Sequence, residues 1–364
     1  MEPAPLQQLR RTYVRFEGKI LSYFAGCDYF RLSSHPQVQK ALVTGLEKYG
    51  ASVSASRLTT GNHILYGKVE AALRHFFDSP AALVVANGYA TNLVAAQALA
   101  GEFSHAFMDS RAHVSLRDAA QFLRCPVIEF SHGDPAALAE ALRKAGQGIR
   151  PILLTDGMFS HDGGIAPLAH YLQVLPARGL ILLDDAHGAG LLGARGRGSA
   201  EWARVPAARL IRTLTLSKAF GAYGGAILCS AAWRERMVSR SRMFVGSTPT
   251  PLPFMNAALT SLRLLEKHPA WRARLNGNVA GLKARLRAVG YSAPETPSPI
   301  IAVTPRDARQ ARALRAALLA RRVFPSFIQY PGGPPLGYFR FVISSEHSRA
   351  QLDSLVASLE ACHD

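Results

Sequence analysis

The residues best suited to chemistry stand directly after apolar runs. Asp184, Asp185 and His187 end LILLDDAH, and Ser217 and Lys218 end TLTLSK. Asp156 and Ser160 follow PILLTDG, Asp109 and His113 follow AFMD, and Asn87, Gly88 and Tyr89 follow ALVVAN. In a parallel sheet, ligands gather beyond the carboxyl ends of the strands, so these are the side chains to question. A lysine at such a place is either a surface cation or an amine whose charge is suppressed until it becomes a nucleophile. Alone, Lys218 reads as a surface cation and Asp184 as a strand-end cap.

Taken together they meet the needs of one cofactor. Pyridoxal phosphate requires a lysine to form an imine, an acid to keep its ring nitrogen protonated, and an anion cradle for its phosphate. The turn NGYATN opens a helix after a strand, so the backbone N–H groups of Gly88 and Tyr89 can hold phosphate at the positive helix end. Thr215, just ahead of Lys218, adds a hydroxyl donor, and His113 offers an aromatic plane to stack on the ring.

The elements that must position these groups recur as strand-length apolar runs separated by helical segments. The runs are ALVVAN, HAFMDS, CPVIEF, PILLTDG, LILLDDA, IRTLTLS and GAILCS. Continuous rather than alternating hydrophobicity means burial on both faces, which predicts an α/β fold with a mostly parallel central sheet and helices on both faces. Near residue 250 the pattern changes to long helical stretches and the strands IIAVTP, VFPSFI and YFRFVIS, a smaller α+β domain. The expected organisation is an N-terminal arm over 1–35, a large α/β domain over 36–255 and a small α+β domain over 256–364.

At 364 residues, with 48% hydrophobic and 18% charged residues, the chain is globular and large enough for about two packed units. The four cysteines, at 27, 125, 229 and 362, show no CxxC spacing, which argues against a zinc site or a disulfide framework and for a reducing compartment. No signal-peptide pattern opens the sequence and no apolar run reaches membrane-spanning length, so a cytoplasmic protein without a membrane span is expected. The net charge of +17 invites a nucleic-acid reading. The arginines are instead spread at helical spacing, as in RDARQARALRAALLARR, without an RNA-binding aromatic strand or finger motif. Attraction of anionic substrates is the better use of that field, and no nucleic-acid partner is expected.

DDAHGAG, TLSKAFGAYGG, TDGMFSHDGG, the DxxxHxS of Asp109, His113 and Ser115, and SRLTTGNH resemble the α-oxoamine synthase family of fold-type-I pyridoxal phosphate enzymes. The resemblance runs from DYFRLSSHP to YFRFVIS. It implies that Lys218 carries pyridoxal 5'-phosphate as an imine, Asp184 pairs with the ring nitrogen, His187 bonds the phenolic oxygen and His113 stacks on the ring. It places Ser160 beside the cofactor, and Gly88, Tyr89 and Thr215 on the phosphate. Ser247 and Thr248 join them from a second subunit of a homodimer whose site lies at the interface. Arg340 clamps the amino-acid carboxylate, a task suited to a bidentate guanidinium.

The family's reaction joins a small amino acid to an acyl thioester, carried by coenzyme A or acyl carrier protein, and releases carbon dioxide. Compact length and DDAHG favour L-alanine with a pimeloyl thioester, as in biotin synthesis. Glycine or serine with another acyl group keeps the same chemistry, and an aminotransferase shares the fold, the lysine and the aspartate. The departures from the family pattern all touch substrate recognition. AGCDYFRL puts Cys27 where an amide side chain is common, GASVSASR lacks the usual glycines, and Gly332 replaces a hydroxyl residue found in some members. The short arm leaves Arg10, Arg11 and Arg15 without a clear family counterpart.

Overall fold

The computed structural model describes residues 5–329 and 333–363. Gly332 lies outside them. Two compact units divide the chain. One holds His35–Phe159 with Ile165–His268, and the other holds the stretch up to Ser34, Ser160–Gly164 and the residues from Pro269 onward.

The second of these units begins with an antiparallel meander, β1 (Gln7–Arg10), β2 (Tyr13–Phe16) and β3 (Lys19–Ser22). The N-terminal stretch is therefore a small sheet, and its Val14, Phe16 and Leu21 pack with Leu319 and Phe324 of the same unit.

The first unit is built on seven strands: β4 (Ala81–Val85), β5 (His105–Asp109), β6 (Val127–Phe130), β7 (Pro151–Asp156), β8 (Leu180–Asp184), β9 (Leu210–Thr215) and β10 (Gly225–Cys229). Their order is β4-β10-β9-β8-β7-β5-β6, with β10 antiparallel to both its neighbours and the pairs from β9 to β6 parallel. Every residue of β7, β8 and β9 is buried, the outcome expected of a strand covered on both faces. Fully burying a Leu or Ile side chain contributes about 1.5–3 kcal/mol, so strands such as LILLD hold the sheet's centre. CPVIEF departs from that pattern. Its strand β6 is the sheet's edge, with Val127 and Glu129 exposed.

The division near the C-terminal third falls at 268/269 rather than at 255/256. The cause is the helix Leu252–Lys267, which packs on the helix Pro36–Tyr49 of the same unit. Gly45 allows the approach, since a Cβ there would fall 2.8 Å from Pro253 Cα, and Asn256 Nδ2 donates to Ala41 O at 2.7 Å.

The other unit closes with β11 (Ile300–Val303), β12 (Phe327–Ile328) and β13 (Tyr338–Val342), an antiparallel sheet in the order β11-β13-β12. VFPSFI yields only the two-residue β12, because Pro325 has no N–H to give a ladder. Among the described residues no helix is long and apolar enough to cross a membrane.

Candidate active site

Strand order turns the polar ends of β7, β8 and β9 into neighbours. Asp156 and Asp184 are register partners, and β9 ends beside them at Thr215. Next to this row the helix Gly88–Ala98 starts under an Asn87 cap whose side chain accepts from Ala90 N at 2.9 Å. The first N–H groups of the helix, on Gly88 and Tyr89, have no intrahelical acceptor and stand at its positive end.

These ends enclose a cavity of about 270 Å³. Gly88, Tyr89, His113, Asp184, His187, Thr215 and Lys218 are among the residues that line it. Seven of the expected site residues thus share one cavity, from segments spread over 130 positions of sequence. Lys218 Nζ lies 2.7 Å from His187 Nε2. Asp184 Oδ1 accepts from Ala186 N at 3.0 Å, and its Oδ2 accepts from Asn92 Nδ2 at 2.7 Å. His113 caps the helix Val114–Ala120, with Nδ1 accepting from Ser115 N. Its backbone N–H donates to Asp156 Oδ2 at 2.8 Å.

Burial pulls the His113 imidazole below its ordinary pKa. The Asp184 charge opposes this and the Lys218 charge adds to it. Asp156 is pushed well above the usual carboxylate range by burial and by the charge of Asp184, against the His113 N–H.

The residues lining the cavity match the requirements of pyridoxal phosphate in chemical type. An amine, a carboxylate with a fixed plane, an imidazole face and a helix N-terminus all converge on it. The backbone at Gly88 runs so close to β9 that a Cβ would fall 2.7 Å from Thr215 Cβ, so this end of the cavity admits no side chain at position 88. Thr215 Oγ1 and Ser217 Oγ, 2.7 Å apart, add hydroxyls at the same end.

The other expected residues are not among those that line this cavity. Ser160 and Arg340 belong to the second unit, where Arg340 Nη1 donates to Ser160 O at 3.0 Å. Ser247 and Thr248 follow the helix Arg242–Gly246 and do not line the cavity. Asp109 is committed to the fold. Its carboxylate meets His132 Nδ1 at 2.9 Å and the N–H groups of Arg111 and Gly133, which hold its pKa low against burial. His63 and His35 cap helices. Arg11 is held within its own unit by Glu346 and the Phe30 carbonyl, and Arg15 is exposed on β2. Among the described residues no three His, Cys, Asp or Glu side chains group to hold a metal. Sequence reasoning did not single out Asn92 or Ser115 for a role, although NGYATN and DxxxHxS contain them.

The family description "aminotransferase class I and II" matches residues 26–359. The chain belongs to that family. Within it, the chain is similar to the putative 8-amino-7-oxononanoate synthase of Desulforudis audaxviator, 34% identical over 98% of this chain and 92% of the relative. Among solved structures, the serine palmitoyltransferase of S. paucimobilis with bound PLP–myriocin aldimine superposes with a TM-score of 0.91 at 28% identity, covering 98% of this chain and 90% of that one. The 8-amino-7-oxononanoate synthase of Francisella tularensis does so with a TM-score of 0.79 at 26% identity, covering 93% and 96%. These matches put the chain in the α-oxoamine synthase branch of the aminotransferase class I and II family, with the fold-type-I architecture expected from the sequence.

Proposed function

We propose that this protein is a pyridoxal 5'-phosphate-dependent acyltransferase that condenses L-alanine with a pimeloyl thioester, the reaction of an 8-amino-7-oxononanoate synthase. The observation that carries the reading is the Lys218 amine, 2.7 Å from His187 Nε2, in one cavity with the Asp184 carboxylate. In the net reaction a carbon–carbon bond forms between the amino-acid α-carbon and the thioester carbonyl carbon. The thiol leaves with a proton, and the amino-acid carboxylate departs as carbon dioxide.

When bound, the cofactor supplies a protonated pyridine ring conjugated to the amino-acid nitrogen, which spreads the electron pair left when the α-proton is removed. Gly88, Tyr89 and Thr215 would hold its phosphate, Asp184 would pair with its ring nitrogen and His113 would stack on the ring. Lys218 would hold the cofactor through its amine and, when that amine is free, would serve as the base for the amino-acid α-proton. His187 Nε2 hydrogen-bonds the Lys218 amine and so orients it. Arg340 receives the amino-acid carboxylate, and Ser247 and Thr248 complete the phosphate site from a second subunit. The high positive charge favours approach of an anionic thioester carrier.

The test is thiol release from pimeloyl-coenzyme A and from pimeloyl-acyl carrier protein, with each small amino acid in turn. Release that depends on alanine supports the reading. Release that depends on serine with a long acyl chain transfers it to the reaction of the serine palmitoyltransferase neighbours, and amino transfer to a keto acid without thiol release removes the synthase altogether.

A further inference from the structure

Asn92 takes no part in the chemistry above, yet its whole amide is committed. It is fully buried, with Nδ2 at 2.7 Å from Asp184 Oδ2 and 2.9 Å from Ser115 Oγ, and Oδ1 at 2.6 Å from Thr213 Oγ1. A carboxylate only accepts, so the atom facing Asp184 is the NH2 group and the Thr213 hydroxyl donates to the amide oxygen. Ser115 Oγ receives the second amide N–H, which leaves its own proton for His113 Nδ1, 2.7 Å away. The Ser115 backbone N–H, at 3.2 Å, points at the same ring nitrogen. Two donors converge on Nδ1, so that atom holds the lone pair and the ring proton sits on Nε2.

We propose that Asn92 is a positioning residue that wires the carboxylate of Asp184 to the tautomer of His113. One amide, anchored by Thr213, donates in two directions. Toward Asp184 it occupies Oδ2 while Ala186 N–H occupies Oδ1, and so sets the plane in which the carboxylate presents its remaining lone pairs. Toward His113 it works through Ser115 and keeps the imidazole neutral, so that no second cation stands beside Lys218. The groups that face His113 are Asp184 and Lys218 by charge, Asp156 through the His113 backbone N–H, and the ring of Tyr89 at 6.3 Å. The Nε2–H state satisfies all of them without placing a donor against the two donors at Nδ1. What Asp184 does for a ring nitrogen rests on the proposed function; the hydrogen-bond wiring does not.

The first measurement uses the full-length protein without cofactor, labelled with 15N-histidine. Long-range proton–nitrogen spectra are followed against pH. In the wild type, His113 should be the neutral Nε2–H tautomer at pH 7. In Asn92→Ala the Ser115 hydroxyl is released to accept from Nδ1–H, and the apparent pKa of His113 should rise by about one unit. Ser115→Ala should move the same signal. The second measurement titrates the visible absorption of the cofactor-loaded protein. Its pH midpoint should shift in Asn92→Ala, which loses the donor to Asp184, and should stay in Ser115→Ala, which keeps it. A wild-type His113 found as Nδ1–H or imidazolium at pH 7 overturns the proposal without any variant. So does an Asn92→Ala protein that melts like the wild type with both titrations unchanged. A protein that never colours with pyridoxal phosphate sinks the proposed function instead and leaves the first measurement decisive for the wiring.

Discussion

Replacing Gly88 with alanine sets two effects of known size against each other. Gly88 opens the helix Gly88–Ala98, and at helical positions alanine is worth roughly 0.5–1 kcal/mol more than glycine. Here the sign should invert. The new Cβ would fall 2.7 Å from Thr215 Cβ and 3.0 Å from its Oγ1, whereas carbon atoms prefer about 3.5–4.0 Å. Thr215 has no room to retreat, since it is buried and paired with Gly225 on β10. The helix start must therefore move, by about 1 Å. Overpacking of this kind costs about 1–3 kcal/mol, which leaves a net loss of roughly 0–2.5 kcal/mol after the helical gain. At about 2–4 °C per kcal/mol, Tm should fall by up to roughly 10 °C. The same displacement would carry the N–H groups of Gly88 and Tyr89 away from the proposed phosphate site. Loss of a hydrogen bond to a charged group, about 1.5–3 kcal/mol, weakens cofactor binding by at least roughly tenfold. Thermal melts and a spectrophotometric titration with pyridoxal phosphate read both effects. Gly67→Ala is the control, because Gly67 lies mid-helix with nothing within 4 Å of an added Cβ and should gain stability. A Gly88→Ala protein that melts at or above the wild type and binds the cofactor equally well refutes the reasoning.

Glu70 is buried and accepts from Arg57 Nη1 at 2.6 Å, Arg234 Nη2 at 3.0 Å and Val84 N at 3.0 Å. Glu70→Ala strands the buried Arg57 and should cost about 3–5 kcal/mol in urea unfolding, with a cost under 1 kcal/mol, roughly that of an exposed pair, counting against it. Burial first, and then the Arg31 charge, push His347 down to about 3, against the Tyr23 carbonyl. Because the unfolded imidazole takes a proton near pH 6.5, the stability it confers is full above that pH and is lost as pH falls toward 3, at up to about 1.4 kcal/mol per unit. His347→Phe should flatten the stability–pH curve between pH 6 and 4, and an unchanged slope contradicts the assignment. Burial raises the Cys229 thiol to about 12, so thiol reagents should label Cys229 only after unfolding.

The site was legible wherever it rested on strand ends. Asp184, Thr215 and Lys218 follow fully buried runs, and a parallel sheet sends such residues to one side. The same rule also selected Asp109, which the fold consumes with His132, a partner 23 residues on that only the loop after β6 brings near. CPVIEF misled because an edge strand and a central one differ in their neighbours, not in their own hydrophobicity. The unit boundary moved because Gly45, an unremarkable residue in sequence, lets two distant helices touch. Asn92 stayed hidden for a related reason. A buried amide acquires its meaning from Asp184, Ser115 and Thr213, none of which is near it in the chain.

The central claim is that the side chain of residue 218 carries the cofactor. Purified protein loaded with pyridoxal phosphate, reduced with borohydride, digested and mapped by mass spectrometry tests it directly. A reduced pyridoxyl group on the peptide containing Lys218, absent from Lys218→Ala, is the predicted result. No label, or a label confined to another lysine such as Lys283, contradicts the account.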